Sequence, residues 1–163
     1  RDAQESRGLG DVYKRQTHVD ASKGMVTWAK ENAVSSGLGD APIRWLVDDC
    51  VKFVEREIRR GNTYDAIIMD PPSYGRGPKG EIWKIEDMIH PLIKLCTKIL
   101  SKDALFFLVN SYTTGLAPAV LTYMISTELK PWNGHVDSQE IGLPVTDSGL
   151  VLPCGASGRW ERD

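Results

Sequence analysis

The chain has 163 residues, of which 41% are hydrophobic, 26% charged and 8% aromatic; that is the range of one globular domain and excludes a disordered tail, a collagen-like fibre or a disulfide scaffold. No apolar run approaches the ~18 residues needed to span a bilayer. Lysine plus arginine number 20 and aspartate plus glutamate 22, a net charge of −2, so composition alone provides no basic footprint for nucleic acid.

Residues 1–16, RDAQESRGLGDVYKRQ, carry seven charges and no period of 2 or 3.6. They lack the charged-then-apolar order of a signal peptide and read as a foreign or disordered segment, with no role for Gly8 or Gly10. From Thr17 the pattern becomes regular. Thr17–Asp20 is a predicted strand stub, and Ser22 is placed to cap a helix with an apolar face of Met25, Trp28, Ala29 and Ala33 that ends at Gly37. Ile43–Val47 is a second strand. The next helix carries Val51, Val54 and Ile58 at helical spacing, with Asp48 and Asp49 at its start and Arg59, Arg60 and Gly61 at its end, a charge order that complements the helix dipole. Tyr64–Asp70 is a third strand with the continuous apolar centre of a strand buried on both faces.

The stretch after Asp70, PPSYGRGPKGE, is rich in Pro and Gly and reads as a loop. A helical pattern through Ile85, Met88, Leu92, Leu95 and Ile99 follows, with Pro91 expected to kink or split it. Ala104–Asn110 is a fourth strand and Leu116–Leu129 a helix that tolerates Pro118 near its start. Val136–Leu143 and Gly149–Leu152 then read as two short antiparallel strands. Alternating strands and helices predict an α/β fold with a mostly parallel sheet and an antiparallel C-terminal hairpin.

In such sheets ligands bind beyond the carboxyl ends of the strands, and here those ends are polar: Asp20, Asp48 and Asp49, Asp70, and Asn110. A carboxylate at the position of Asp20 suits vicinal ribose hydroxyls, as in NAD or S-adenosylmethionine; capping the helix near Ser22 is the alternative. Asp49 suits an adenine amino group, with Cys50 beside the ring, or again a helix cap. In Asp70-Pro71-Pro72-Ser73-Tyr74 the prolines lock φ and remove two backbone donors, holding carbonyls outward next to an aromatic wall. That arrangement suits methyl transfer to a nucleobase; a plain structural turn is the alternative. Arg76, Lys79 and Lys84 suit phosphates beside a target or are ordinary solvated charge.

THVDASKGMVTWAKENA, WLVDDCVKFV, YDAIIMDPPSYGRGPKGEIWKIE and GLVLPCGASGRW together resemble class I S-adenosylmethionine-dependent methyltransferases, with bacterial large-subunit ribosomal RNA methyltransferases as the nearest group. The resemblance covers about residues 17–160, so residues 17–163 are expected to be a partial methyltransferase catalytic domain. It implies a Rossmann-like methyltransferase sheet, S-adenosyl-L-methionine as cofactor and an RNA substrate, with rRNA processing as the family's work. Carried over, Asp20 with Ala21 would hold the cofactor ribose, and Asp49 with Cys50 the adenine. Asp70, Pro71 and Pro72 would border the methyl group and the target base, with Tyr74 close by. The family places a strand, a glycine-rich turn and a helix before the position of Asp20; the six residues between Gly10 and Thr17 leave no room for that helix. The first strand and glycine loop are therefore expected to be missing, and the chain to be an N-terminally truncated fragment.

Cys50, Cys96 and Cys154 form no zinc or disulfide pattern, which fits a reducing cytoplasm. The scattered His18, His90 and His135 suggest no metal site, and no membrane partner is expected. Methylation at cytosine C5 needs an attacking thiolate, which some relatives carry just after the fourth strand; residues 110–114, NSYTT, have none. That points to a nitrogen target. The competing readings are a dinucleotide-binding oxidoreductase, which would need a glycine-rich βα turn, and a non-catalytic fragment.

Overall fold

In the computed structural model, residues 15–77, 80–113 and 115–163 are described. The expectations for residues 1–14, including the missing strand and glycine loop, lie outside the described residues, as do those for Lys79 and Thr114. The chain divides into two compact units, one reaching to Arg56 and the other spanning Glu57–Asp163.

In the first unit, β1 (Gln16–Asp20) pairs in parallel with β2 (Ile43–Val47), Gln16 opposite Ile43 and Asp20 opposite Val47. Between them runs α1 (Lys23–Ser35), whose cap is the expected one: Ser22 Oγ accepts from the Met25 amide at 3.3 Å. Gly37, at φ 74°, ends it, with the Leu38 amide on the Ala33 carbonyl and the Gly37 amide on the Val34 carbonyl, the paired bonds of a Schellman stop. The buried face differs from the predicted one. Val26 is buried and Ala29 and Ala33 half-buried, whereas Met25 and Trp28 are 47% and 58% exposed. Positions 26, 29 and 33 form one helical stripe of small side chains, and Met25 and Trp28 project to its side.

The helix α2 (Cys50–Arg60) ends in the same way, at Gly61 with φ 68°. Its inward face includes a charge that spacing did not reveal. Glu57 is 1% exposed and accepts from Arg60 Nη1 at 2.9 Å, Asn62 Nδ2 at 2.8 Å and Tyr64 Oη at 2.8 Å. Burial pushes its pKa up, but these donors together outweigh burial and hold the carboxyl below its ordinary value.

The second unit is built on a four-stranded sheet ordered β3-β6-β8-β7, formed by β3 (Ala66–Met69), β6 (Phe106–Ser111), β7 (Gly134–Pro144) and β8 (Val151–Arg162). β3 and β6 are parallel; β8 runs antiparallel to both β6 and β7. The tail hairpin thus joins the sheet through its second strand, and both strands are longer than the sequence pattern predicts. Pro153, Gly155 and Gly158 hide β8, because such residues are depleted from strands. Gly158 is there for space: a Cβ would meet Ile125 Cδ1 at 2.8 Å and Leu121 Cβ at 2.9 Å. Both neighbours belong to α4 (Pro118–Glu128), which packs on β7 and β8 and opens with Pro118 in its first turn.

A second helix, α3 (Ile85–Thr97), is continuous through Pro91 and buries Ile85, Ile89, Leu92, Ile93 and Cys96. Met88, assigned to this face from sequence, is on the exposed side. α3 packs on α4, where His90 Nε2 and Glu128 Oε1 lie 2.8 Å apart. Phe107, Val109, Leu121, Ile125 and Trp160 form the centre of the core. The expected loop after Asp70 contains a hairpin of β4 (Tyr74–Arg76) and β5 (Ile82–Lys84). Three-residue strands flanked by Pro and Gly are too short to leave a period.

Candidate functional site

At the carboxyl end of the β1–β2 pair, the parallel register sets Asp20, Asp48 and Asp49 on one edge, and the Asp48 amide bonds to the Asp20 carbonyl at 2.9 Å. Asp20 is half-buried, and its Oδ1 accepts from the Ser22 amide at 2.6 Å, closing the turn through exposed Ala21. Asp49 caps α2, its Oδ1 accepting from the Lys52 amide at 3.0 Å. Asp48 pairs with the Arg56 guanidinium and accepts from the Asp49 amide at 2.9 Å. The capping roles are therefore real, yet each uses one oxygen. The second oxygen of Asp20 and of Asp49 makes no hydrogen bond among the described residues.

Cys50 is exposed as a residue, but its sulfur turns inward and donates to the Val19 carbonyl at 3.7 Å. Cover over the sulfur, followed by the charges of Asp20, Asp49 and Asp48, raises its pKa. The thiol stays protonated and neutral at ordinary pH, a wall beside the carboxylates rather than a nucleophile.

In the second unit, β3 ends opposite β6 with Met69 facing Val109, so Asp70 emerges at the carboxyl edge of two parallel strands. The turn Asp70-Pro71-Pro72-Ser73 is held from two sides. Trp83 on β5 donates its indole N–H to the Pro72 carbonyl at 2.6 Å. Ser73 Oγ and Thr113 Oγ1 share a hydrogen bond at 2.6 Å, and the Ile85 amide bonds to the Ser73 carbonyl at 3.1 Å. Asp70 is open to solvent on one side, while the chain that covers part of its carboxyl raises its pKa. Tyr74 is 52% exposed, and its hydroxyl accepts from Arg76 Nε at 2.9 Å. Asn110 Oδ1 accepts from Ser157 Oγ at 2.9 Å, spending that strand end on the sheet.

Asp20, Ala21, Asp49 and Cys50 thus gather at one strand edge of the first unit, and Asp70, Pro71, Pro72 and Tyr74 follow one strand of the second. Trp83, Ser73 and Thr113 escaped sequence reasoning; an indole in a loop and two hydroxyls 40 residues apart carry no local signal. Of the other thiols, Cys96 is buried in α3, and half-buried Cys154 donates to the Ile141 carbonyl at 3.4 Å. Among the described residues no three metal-ligating side chains converge, and no helix is long and apolar enough to cross a membrane.

The chain superposes on the SAM-dependent methyltransferase from Agrobacterium tumefaciens with a TM-score of 0.82 and 39% identity, over 90% of this chain and 49% of that one. The chain has the fold of an S-adenosylmethionine-dependent methyltransferase. Curated methyltransferases are also similar in sequence. The ribosomal RNA large subunit methyltransferase K/L of Shewanella frigidimarina is 30% identical over 87 residues, 50% of this chain and 12% of that protein. The ribosomal RNA large subunit methyltransferase K of Neisseria meningitidis is 28% identical over 94 residues, 57% of this chain and 27% of that protein. The chain therefore spans about half the length of the solved methyltransferase and a smaller part of these curated ones. No protein-family model matches it.

Proposed function

We propose that the chain provides the catalytic part of an S-adenosylmethionine-dependent methyltransferase that acts on a nucleobase nitrogen of ribosomal RNA. The methyltransferase fold supports the reaction class, and the names of the curated relatives support the RNA substrate. The observation that carries the reading is the braced turn at Asp70–Ser73, which holds the Asp70 carboxylate at a strand end.

The donor set fits the cofactor. The second oxygen of Asp20 takes the ribose hydroxyls, that of Asp49 takes the adenine amino group, and the neutral Cys50 thiol lines the ring. When bound, S-adenosylmethionine supplies an electrophilic methyl group on a sulfonium sulfur. Asp70 accepts a hydrogen bond from the N–H of the target base, orients the nitrogen lone pair, and receives the proton that this nitrogen sheds. Its raised pKa brings it nearer to that task than an ordinary aspartate. Pro71 and Pro72 border the base, with Tyr74 next along the chain. Position and a lone pair suffice here, so no cysteine is needed.

Calorimetric titration with S-adenosylmethionine and with NAD, followed by transfer of a labelled methyl group to large-subunit ribosomal RNA, tests this. The expected result is binding of the first ligand alone and label in the RNA. Binding of NAD alone would favour the oxidoreductase. The capping bonds of Asp20 and Asp49 favour a second reading, a non-catalytic fragment, which predicts that neither ligand binds.

A further inference from the structure

The β4–β5 hairpin has two unlike faces. Tyr74 pairs with Lys84, Gly75 with Trp83, and Arg76 with Ile82. Side chains alternate along a strand, so Trp83 and Gly75 share the side that braces the Pro72 carbonyl, where a Cβ on Gly75 would meet Trp83 Cβ at 3.7 Å. Tyr74, Arg76, Ile82 and Lys84 all occupy the other side. Every one of them is exposed, Ile82 at 55% and Tyr74 at 52%. The Arg76 bond to the tyrosine hydroxyl orders both side chains. Among the described residues of the hairpin the single acid is Glu81, at its turn. An aromatic ring beside two cations is the combination by which single-stranded nucleic acid is held: bases stack on the ring and phosphates pair with the charges.

We propose that this outward face seats the nucleotide next to the methylated one, with its base on Tyr74 and its flanking phosphates on Arg76 and Lys84. The inference rests on the RNA reading above and sharpens it. Tyr74 projects away from the face that touches the turn, so it reads a neighbour, and the hairpin joins that neighbour to the reacting base through Trp83 and Pro72. Arg76 and Lys84 also supply a positive contact surface that the net charge of −2 does not advertise.

Fluorescence anisotropy of the chain with labelled oligo(A) and oligo(U) RNA tests this, with thermal melting of each variant as the folding control. Tyr74→Ala should weaken both RNAs about tenfold and Tyr74→Phe less than about twofold, because stacking is the contact being read. Arg76→Ala combined with Lys84→Ala should reduce the slope of log affinity against log salt by about 1.4, the loss of two single-strand phosphate contacts. Unchanged affinity in Tyr74→Ala together with an unchanged slope in the double variant overturns the proposal. RNA binding that depends on Tyr74 without any methyl transfer would uphold the platform and defeat the methyltransferase reading; methyl transfer undiminished in Tyr74→Ala would do the reverse.

Discussion

Ser73 and Thr113 share a hydrogen bond at 2.6 Å although one follows β3 and the other β6. It ties the ends of two parallel strands together at the carboxyl edge, where open α/β sheets bind ligands. Thr113→Val removes it while conserving shape, and should cost about 1 kcal/mol of stability. Because the bond fixes the turn that carries Asp70, turnover should fall more than cofactor affinity does. Steady-state kinetics beside calorimetry measures the split, and Thr113→Ser should restore the turnover.

Asp70 should matter to rate above all. Asp70→Ala is expected to lower turnover by about 10² or more, the usual effect of removing a positioned polar group, with cofactor affinity nearly unchanged. Burial raises its pKa, so the acid limb of the rate profile should titrate above the ordinary aspartate value of about 3.9, and the rate should rise with pH through that limb. A raised carboxyl pKa opposes folding once the group is ionised. Asp70→Asn should therefore leave the melting temperature at neutral pH equal to or above that of the parent, while activity is lost.

The turn bond of Asp20 and its proposed hold on the ribose are separated by a pair of variants. Asp20→Asn retains an acceptor for the Ser22 amide but loses the charge offered to the ribose. It should melt close to the parent yet bind S-adenosylmethionine more weakly. Asp20→Ala should lose both, with a binding cost of ~1.5–3 kcal/mol. Equal affinity in parent and both variants, by calorimetry, would reduce Asp20 to a turn residue.

Glu57 predicts the acid stability of the second unit. Its folded pKa is lowered, so the unfolded chain takes up protons first, and the stabilisation is fully present above the unfolded glutamate value of about 4.3 and lost as pH falls below it. Melting temperature should hold from neutrality down to that region and then drop. Glu57→Gln should flatten this drop. Glu57→Ala leaves three donors facing a void and should cost about 3 kcal/mol at pH 7.

Much of this architecture is written locally. Ser22 capping α1, glycines 37 and 61 stopping two helices, and carboxylates ending β1, β2 and β3 each depend on a few adjacent residues, which a sequence displays. What stayed hidden depends on contacts across the chain. Glu57 looks like a solvated helix charge until Asn62 and Tyr64 fold back onto it. β8 looks like a glycine-rich tail until α4 is laid over Gly158. Of the candidate site residues, Asp20 and Asp49 in the first unit and Asp70 in the second stood out as strand ends, whereas the brace from Trp83 and the tie from Thr113 became visible only in three dimensions.

The strand order β3-β6-β8-β7 sets the last strand inside the sheet and the one before it at the rim. A ribosome releases β6, with its wholly buried Phe107 and Val109, long before the strand that will cover its open side. Until Ala156–Glu161 emerge and pair with Phe106–Ser111, the nascent chain presents an unpaired apolar ladder, and non-local pairing of this kind is slow and prone to aggregation. Yield should therefore depend on holding that intermediate apart during synthesis, through low temperature or a chaperone, more than on the stability of the finished fold.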